Sequence, residues 1–182
     1  RNDIGQPDSG KQSARATFQG ISIEMSETTV PSAEQSEVIE IERVMEMIPH
    51  RYPFLLIDKV VDVKPNVGAV GIKCVSMNEY QFQGHFPGAP IMPGVMIIES
   101  MAQTAAVLVV RTLGPDSEGK LVYFMSIDEA RFRRPVKPGD VMRVNVEKKQ
   151  SRGAVWKFES KVTVDDKVVA QATFAAMIVD RA

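Results

Sequence analysis

The sequence predicts an α+β protein in which a largely antiparallel sheet of about six strands wraps around one long central helix, with a short helix near the N-terminus. Two observations lead to this class. Residues 95–112 contain no Gly or Pro and are apolar almost all round, which is typical of a buried helix. Runs rich in β-formers, separated by turn-like breaks, stand on both sides of that helix, two before it and four after it.

The beginning of the chain differs in composition from the rest. Residues 1–37 are rich in Ser, Gln, Thr, Asp and Glu, so we interpret them as a flexible tail before a domain at 38–182. Met25 resembles a natural translation start, and residues 1–24 are interpreted as upstream or expression-derived sequence. Apolar residues at helical spacing over 36–48 predict a short amphipathic helix with Ser36 as N-cap, ended by Pro49.

The predicted strands are bounded by turn residues. Residues 54–63 and 68–75 are expected to form a hairpin. Gly114 and Pro115 end the central helix, and four further strands are predicted at 120–132, 140–150, 154–165 and 167–179. A curled sheet covers an all-round apolar helix on one side, so an exposed helix flank is expected, and with it a partner chain.

Composition excludes several classes of protein. The net charge of −1 favours neither nucleic acid nor an acidic membrane as a partner. The single cysteine, Cys74, rules out a disulfide framework, fits a reducing cytoplasm and is interpreted as a core residue. Two His and one Cys argue against a zinc site. The densest apolar run, 105–110, is far shorter than the roughly 20 residues of a membrane helix, and no secretory signal is predicted.

Candidate chemistry concentrates at residues 84–112, where a Gly- and Pro-rich loop leads into the central helix. His85 lies in the loop, and Glu99 lies on the helix, where Gln103 one turn later can orient its carboxylate. Free N–H groups near Gly94, at the start of the helix, favour a carbonyl oxygen that gains negative charge. This combination suits proton abstraction next to a carbonyl followed by loss of a β-hydroxyl. The residue types alone also allow a hydrogen-bonded loop histidine and a structural acid paired with Arg or Lys.

Four segments carry a resemblance to a known family. They are GHFPGAPIMPGVMIIESMAQ, IPHRYPFLLID, YFMSIDEARFRRPVKPGD and VVAQATFAAMI, within about residues 38–180. In these segments the chain resembles the Z-type (3R)-3-hydroxyacyl-[acyl-carrier-protein] dehydratases of type II fatty-acid synthesis. The resemblance implies a hot-dog fold, a homodimer usually assembled into a trimer of dimers, and a role in fatty-acid and lipid A biosynthesis. It implies neither a metal nor a cofactor. The implied reaction is loss of water from the 3-hydroxyacyl carrier protein to give the trans-2-enoyl product.

The resemblance also assigns roles to residues. It places the family's catalytic histidine at His85 and its acidic partner at Glu99, contributed by different subunits, and puts the Gly94 N–H near the thioester carbonyl. It implies that four further residues belong to the substrate tunnel: His50, Phe86, Pro93 and Tyr123. A related A-type family, which also isomerises the product, has Asp and Trp where this chain has Glu99 and Ala102, so these residues favour dehydration alone.

A basic cluster stands near one predicted strand end, formed by Arg131, Arg133, Arg134 and Lys137. Such a cluster is either a solvated strand end or a docking surface for an acidic acyl carrier protein with its phosphopantetheine-linked acyl chain. Two other functions stay open for this fold. One is a thioesterase, which would activate water at the thioester carbon, and the other is a non-enzymatic acyl-binding module.

Overall fold

The structure is a computed structural model of the chain and describes residues 37–180. The tail predicted at 1–37 lies outside these residues except for Glu37, and so does the N-cap predicted at Ser36.

Seven strands form one sheet in the order β1-β2-β3-β5-β6-β7-β4, and all neighbours pair antiparallel. The strands are β1 (Glu37–Ile39), β2 (Lys59–Lys64), β3 (Gly68–Cys74), β4 (Leu121–Phe132), β5 (Val141–Arg152), β6 (Val155–Val164) and β7 (Lys167–Val179). The α-helices are α1 (Ile41–Met47) and α2 (Gly94–Leu113), and short 3₁₀ helices lie at Tyr80–Gln83 and Pro115–Ser117. The predicted α+β class and hot-dog arrangement are confirmed.

The predicted elements before residue 60 need correction. The strand count is one short, because Glu37–Ile39, which was predicted to be helical, pairs with β2. Helix α1 therefore begins at Ile41, with Glu40 as its N-cap. Strand β2 begins at Lys59 rather than at residue 54. The backbone of Phe54 and Leu56 is instead hydrogen-bonded to a side chain of α2, so this segment does not pair as a strand.

Helix α2 forms the core of the domain and contacts β2, β3, β5, β6 and β7. Two of its buried polar side chains are satisfied within the helix, since Ser100 Oγ donates to the Met96 carbonyl at 2.9 Å and Thr104 Oγ1 to the Ser100 carbonyl at 2.8 Å. Gly71 of β3 permits the close approach of the helix. A Cβ at Gly71 would lie 2.1 Å from Thr104 Oγ1.

The surface of α2 differs from the prediction. Within residues 37–180 it is the one helix long and apolar enough to cross a membrane, but 78% of its apolar window is buried, as in the core helix of a globular fold. The predicted exposed flank is wrong, because its exposed residues lie only near its two ends. Exposed apolar side chains lie instead on β4, at one sheet edge. The prediction that Cys74 is a core residue is also wrong, since it is exposed at the end of β3.

Candidate active site

His85 lies in the loop between the 3₁₀ helix at Tyr80–Gln83 and α2. Its backbone N–H donates to the Gln81 carbonyl at 2.9 Å, and its ring Nδ1 lies 2.7 Å from the Ile91 carbonyl oxygen. Because a carbonyl only accepts hydrogen bonds, Nδ1 carries the hydrogen and Nε2 of the neutral ring keeps its lone pair. Phe86, which is half-exposed, stacks on the ring with centroids 4.0 Å apart. The imidazole is therefore held in the tautomer that a general base requires.

A cavity of about 600 Å³ opens beside His85. Its walls are mostly apolar and come from two places, the beginning of α2, including Pro93 and Gly94, and the segment that ends β4, including Phe132 and Arg134. Its size suits a small ligand with an apolar body.

Gly94 is the first residue of α2, where N–H groups have no acceptor within the helix. The sequence predicts a role for the free N–H groups at this position, and the structure adds a packing reason for glycine. A Cβ at Gly94 would lie 2.8 Å from Cζ and 2.9 Å from Cε1 of Phe132. The aromatic ring packs directly on the helix start, so Gly94 is required by packing as well.

Glu99 lies on α2, with a side chain that is 16% exposed. Gln103 Nε2 donates to Glu99 Oε1 at 3.0 Å, which is the contact that their spacing predicts. Gln103 also donates to the Phe54 carbonyl at 2.7 Å and accepts from the Leu56 N–H at 2.8 Å. The same amide thus orients the carboxylate and anchors the 54–56 segment. No Arg or Lys among residues 37–180 pairs with Glu99, so the structural ion pair left open above is not supported.

His85 and Glu99 do not line the same cavity in one chain. Glu99 lines a separate cavity of about 20 Å³ together with His50, Ala102, Val122 and Phe124. A further small apolar cavity shares Ala102 and Val122 with it and continues along α2 to Trp156. Tyr123 lines neither the His85 cavity nor the Glu99 cavity, although its strand neighbours Val122 and Phe124 line the latter.

The four side chains of the basic cluster are exposed, and within residues 37–180 none of them has an acidic partner. Arg133 and Arg134 line the His85 cavity, whereas Arg131 and Lys137 do not. The Arg133 guanidinium donates to Gln171 Oε1 at 2.9 Å. Of the two arginines at the cavity, Arg134 is therefore the more available to bind a ligand or a partner.

A buried ion pair lies behind the His85 loop. Lys73 Nζ lies 2.7 Å from Glu79 Oε2, and Gln81 Nε2 donates to the same oxygen at 3.1 Å. Burial by itself raises the pKa of Glu79, but hydrogen bonds from Lys73, the Ser76 backbone and Gln81 outweigh it and hold the pKa below its usual value. Since the Gln81 carbonyl accepts the His85 N–H, this pair anchors the loop that carries the histidine.

Sequence reasoning missed two contributors to this site, the Ile91 carbonyl and the Phe132 ring. A backbone carbonyl leaves no signal in residue type. Phe132 does leave one, because it is an apolar residue within a basic run, RFRR.

The sheet wrapped around one long central helix places the chain in the hot-dog fold class, and comparison with known proteins identifies its family. A family model described as a FabA-like domain matches residues 48–173. A protein of Acidiphilium cryptum named 3-hydroxyacyl-[acyl-carrier-protein] dehydratase FabZ is 62% identical over 85% of this chain and 94% of its own. A protein of the same name from Paramagnetospirillum magneticum is 62% identical over 79% of this chain and 89% of its own. The chain belongs to this FabA-like family of 3-hydroxyacyl-[acyl-carrier-protein] dehydratases, which are hydro-lyases.

Solved structures agree on the fold. The dehydratase heterocomplex ApeI:P from Xenorhabdus doucetiae superposes with a TM-score of 0.66 at 18% identity, covering 76% of this chain and 91% of the other. Cj0977, a sigma28-regulated virulence protein from Campylobacter jejuni, superposes with a TM-score of 0.55 at 14% identity, covering 78% of this chain and 91% of the other. At such identities the likeness concerns the fold alone.

Proposed function

We propose that this protein removes water from (3R)-3-hydroxyacyl-[acyl-carrier-protein] and forms the trans-2-enoyl product in type II fatty-acid elongation. The observation that carries this proposal is the hydrogen bond from Nδ1 of His85 to the Ile91 carbonyl, which directs Nε2 to the role of base, beside a mostly apolar cavity at the start of α2. The names of the relatives support the same reaction and substrate.

In the proposed mechanism, Nε2 of His85 removes a proton from C2 of the substrate. The negative charge that develops on the thioester oxygen is stabilised by the Gly94 N–H and the positive end of α2. The C2–C3 double bond forms as the C3–O bond breaks, and Glu99 protonates the departing hydroxyl, so that water leaves. In each turnover His85 gains one proton and Glu99 loses one, so the net number of protons on the enzyme does not change.

We infer that each active site is shared between two subunits of a homodimer, with His85 from one and Glu99 from the other. Their location in different cavities of one chain supports this arrangement. Strand β4 supports association with a second copy, because it is a long sheet edge whose apolar side chains are exposed. A trimer of such dimers is the larger assembly we propose.

The acyl chain is proposed to enter past Tyr123 and Phe86 and to pass Pro93 and His50. The small apolar cavities that continue from Glu99 along α2 towards Trp156 support this path.

The basic cluster of Arg131, Arg133, Arg134 and Lys137 is proposed to dock the acidic carrier protein, because two of its members line the His85 cavity. The cytoplasm is the proposed compartment, since a lone exposed cysteine suits a reducing environment.

The decisive experiment mixes the purified protein with a 3-hydroxyacyl thioester and records both the absorbance of the conjugated enoyl thioester and the release of free thiol. Enoyl product without thiol is the expected result. Free thiol without enoyl product would identify a thioesterase instead. Tight binding of the acyl thioester with neither product would identify an acyl-binding module and overturn the proposal.

A further inference from the structure

His50 has a neighbour that its position in the sequence does not reveal. Its Nε2 lies 3.4 Å from Oε1 of Glu99, and the two side chains are only 19% and 16% exposed. The other ring nitrogen, Nδ1, is buried and has no hydrogen-bond partner among residues 37–180. Buried polar atoms without a partner are rare in native proteins, and each one calls for an explanation.

The two oxygens of the Glu99 carboxyl group have different surroundings. Oε1 accepts a hydrogen bond from Gln103 Nε2 at 3.0 Å and also faces the His50 ring. Oε2 accepts no hydrogen bond from the described part of the chain. A proton on this carboxyl group therefore belongs on Oε2, because a second hydrogen on Oε1 would meet the amide hydrogen of Gln103.

We propose that His50 is a positioning residue for Glu99: its Nε2–H and the Gln103 amide hold Oε1 from two sides, so that Oε2 carries the proton and presents it to the leaving hydroxyl. This inference rests on the proposed dehydratase function. It changes the role of His50 from a wall of the tunnel to a partner of the catalytic acid.

The chemistry of the step explains why a second N–H is useful. When the O–H bond at Oε2 breaks, the proton moves to the C3 hydroxyl, the C3–O bond breaks with its electron pair on oxygen, and water leaves. Glu99 is then a carboxylate, and its new negative charge is stabilised by two N–H donors at Oε1. A contact that strengthens as charge develops lowers the barrier rather than merely tightening substrate binding.

The distance and the unpaired nitrogen fit this role. A separation of 3.4 Å is longer than an ordinary N–H···O bond, and catalytic hydrogen bonds commonly shorten only when substrate is bound. With the hydrogen on Nε2, Nδ1 is a bare acceptor, which is the less demanding atom to leave without a partner. Glu99 and His50 also line the cavity of about 20 Å³, which is large enough for one water molecule, the product of the step.

The test compares His50→Leu with His50→Gln in the full-length protein, using a 3-hydroxyacyl thioester. Leu fills a similar volume without a donor, and Gln supplies an N–H at a similar reach. We expect kcat to fall about 10- to 100-fold in His50→Leu, with KM within about 3-fold of the wild type, and to recover to within about 5-fold in His50→Gln. Equal kcat values in the two variants overturn the proposal, because a purely structural role would not be restored by an amide.

A double-mutant cycle with Glu99→Gln separates an effect of His50 through Glu99 from a general structural effect of the His50 substitution. If His50 acts through Glu99, His50→Leu has little further effect on kcat in the Glu99→Gln background, whereas additive losses overturn the proposal. His50→Met, which also lacks a hydrogen-bond donor, replaces His50→Leu in the cycle if the leucine variant does not fold. A wild-type protein that forms no enoyl product refutes the dehydratase function itself, whereas an active wild type with an equally active His50→Leu refutes only the role of His50.

Discussion

The Nδ1 atom of His85 lies 2.7 Å from the carbonyl oxygen of Ile91. This single contact fixes the tautomer of the ring, because the carbonyl oxygen has no hydrogen to give. It also ties the loop back on itself, since the Ile91 N–H donates to the His85 carbonyl at 3.0 Å. His85 is thus held through both its ring and its backbone, and Nε2 remains available to accept a proton.

Replacement of His85 by Ala is expected to abolish most of the dehydration while leaving the fold intact. A general base contributes about 10²- to 10⁴-fold in rate, whereas one hydrogen bond contributes only about 0.5–1.5 kcal/mol to stability. The measurements are kcat for enoyl formation and urea unfolding, with the exposed neighbour substitution Gln83→Ala as the control. A His85→Ala enzyme with wild-type kcat contradicts the assignment of the base.

The sharing of one site between subunits predicts complementation. His85→Ala and Glu99→Gln chains are expected to be nearly inactive alone. When they are co-expressed with different tags, half of the dimers are mixed, and each mixed dimer contains one site with both native residues. About one quarter of the wild-type activity should then return, and it should copurify with both tags. Sites confined to a single chain predict no recovery, because every site would lack one residue.

Local patterns predicted the central elements well, and the reasons are physical. Helix α2 was recognisable because residues 95–112 lack Gly and Pro, and four strands after it because turn residues separate them. The segment at 37–39 was misassigned because its residues suit a helix equally well, and pairing with β2 decides its structure. The apolar run at 54–57 resembles a strand in composition, yet the Gln103 amide bonds the Phe54 carbonyl and the Leu56 N–H.

In the candidate site, too, contacts set by local spacing were predictable and contacts between distant residues were not. The contact between Glu99 and Gln103 follows from helical spacing and was predictable. The packing of Phe132 on Gly94 and the approach of His50 to Glu99 join residues that are distant in sequence. Spacing along the chain contains no information about such contacts, because they depend on how β4 and the loop after α1 lie against α2.

Substitution of Gly94 by Ala is expected to destabilise the protein by about 1–3 kcal/mol, as is typical of overpacking, because the new methyl group meets the Phe132 ring. The double variant Gly94→Ala/Phe132→Leu should regain stability and, since the backbone N–H is retained, most of kcat. Gly84→Ala is the matched control, because a Cβ there has no neighbour within 4 Å. A double variant that is stable but inactive would show that Gly94 has a further role.

Charge reversal in the basic cluster tests the docking of the carrier protein. Arg134→Glu is preferred to Arg133→Glu, because Arg133 also donates to Gln171, so that its replacement would remove a hydrogen bond as well as a charge. We expect kcat/KM to fall roughly 10-fold or more on carrier-bound substrate and to change little on a small thioester analogue, with a weaker salt dependence than the wild type. Lys157→Glu, an exposed reversal on β6, is the control. Equal losses on both substrates contradict a docking role.

The Lys73–Glu79 pair predicts a specific dependence of stability on pH. The pKa of Glu79 is lower in the folded protein than its usual value, so folding favours the ionised form, and this contribution is present at neutral pH. It is lost as the pH falls through the unfolded-state value of about 4.3 towards the lower folded-state pKa. Glu79→Gln should therefore be less stable than the wild type at pH 7, with the difference shrinking as the solution is acidified. Urea unfolding at a series of pH values measures the difference, and Glu42→Gln, which removes no ion pair within residues 37–180, is the control. A difference that stays constant down to low pH would mean that Glu79 contributes through shape and hydrogen bonding rather than through its charge.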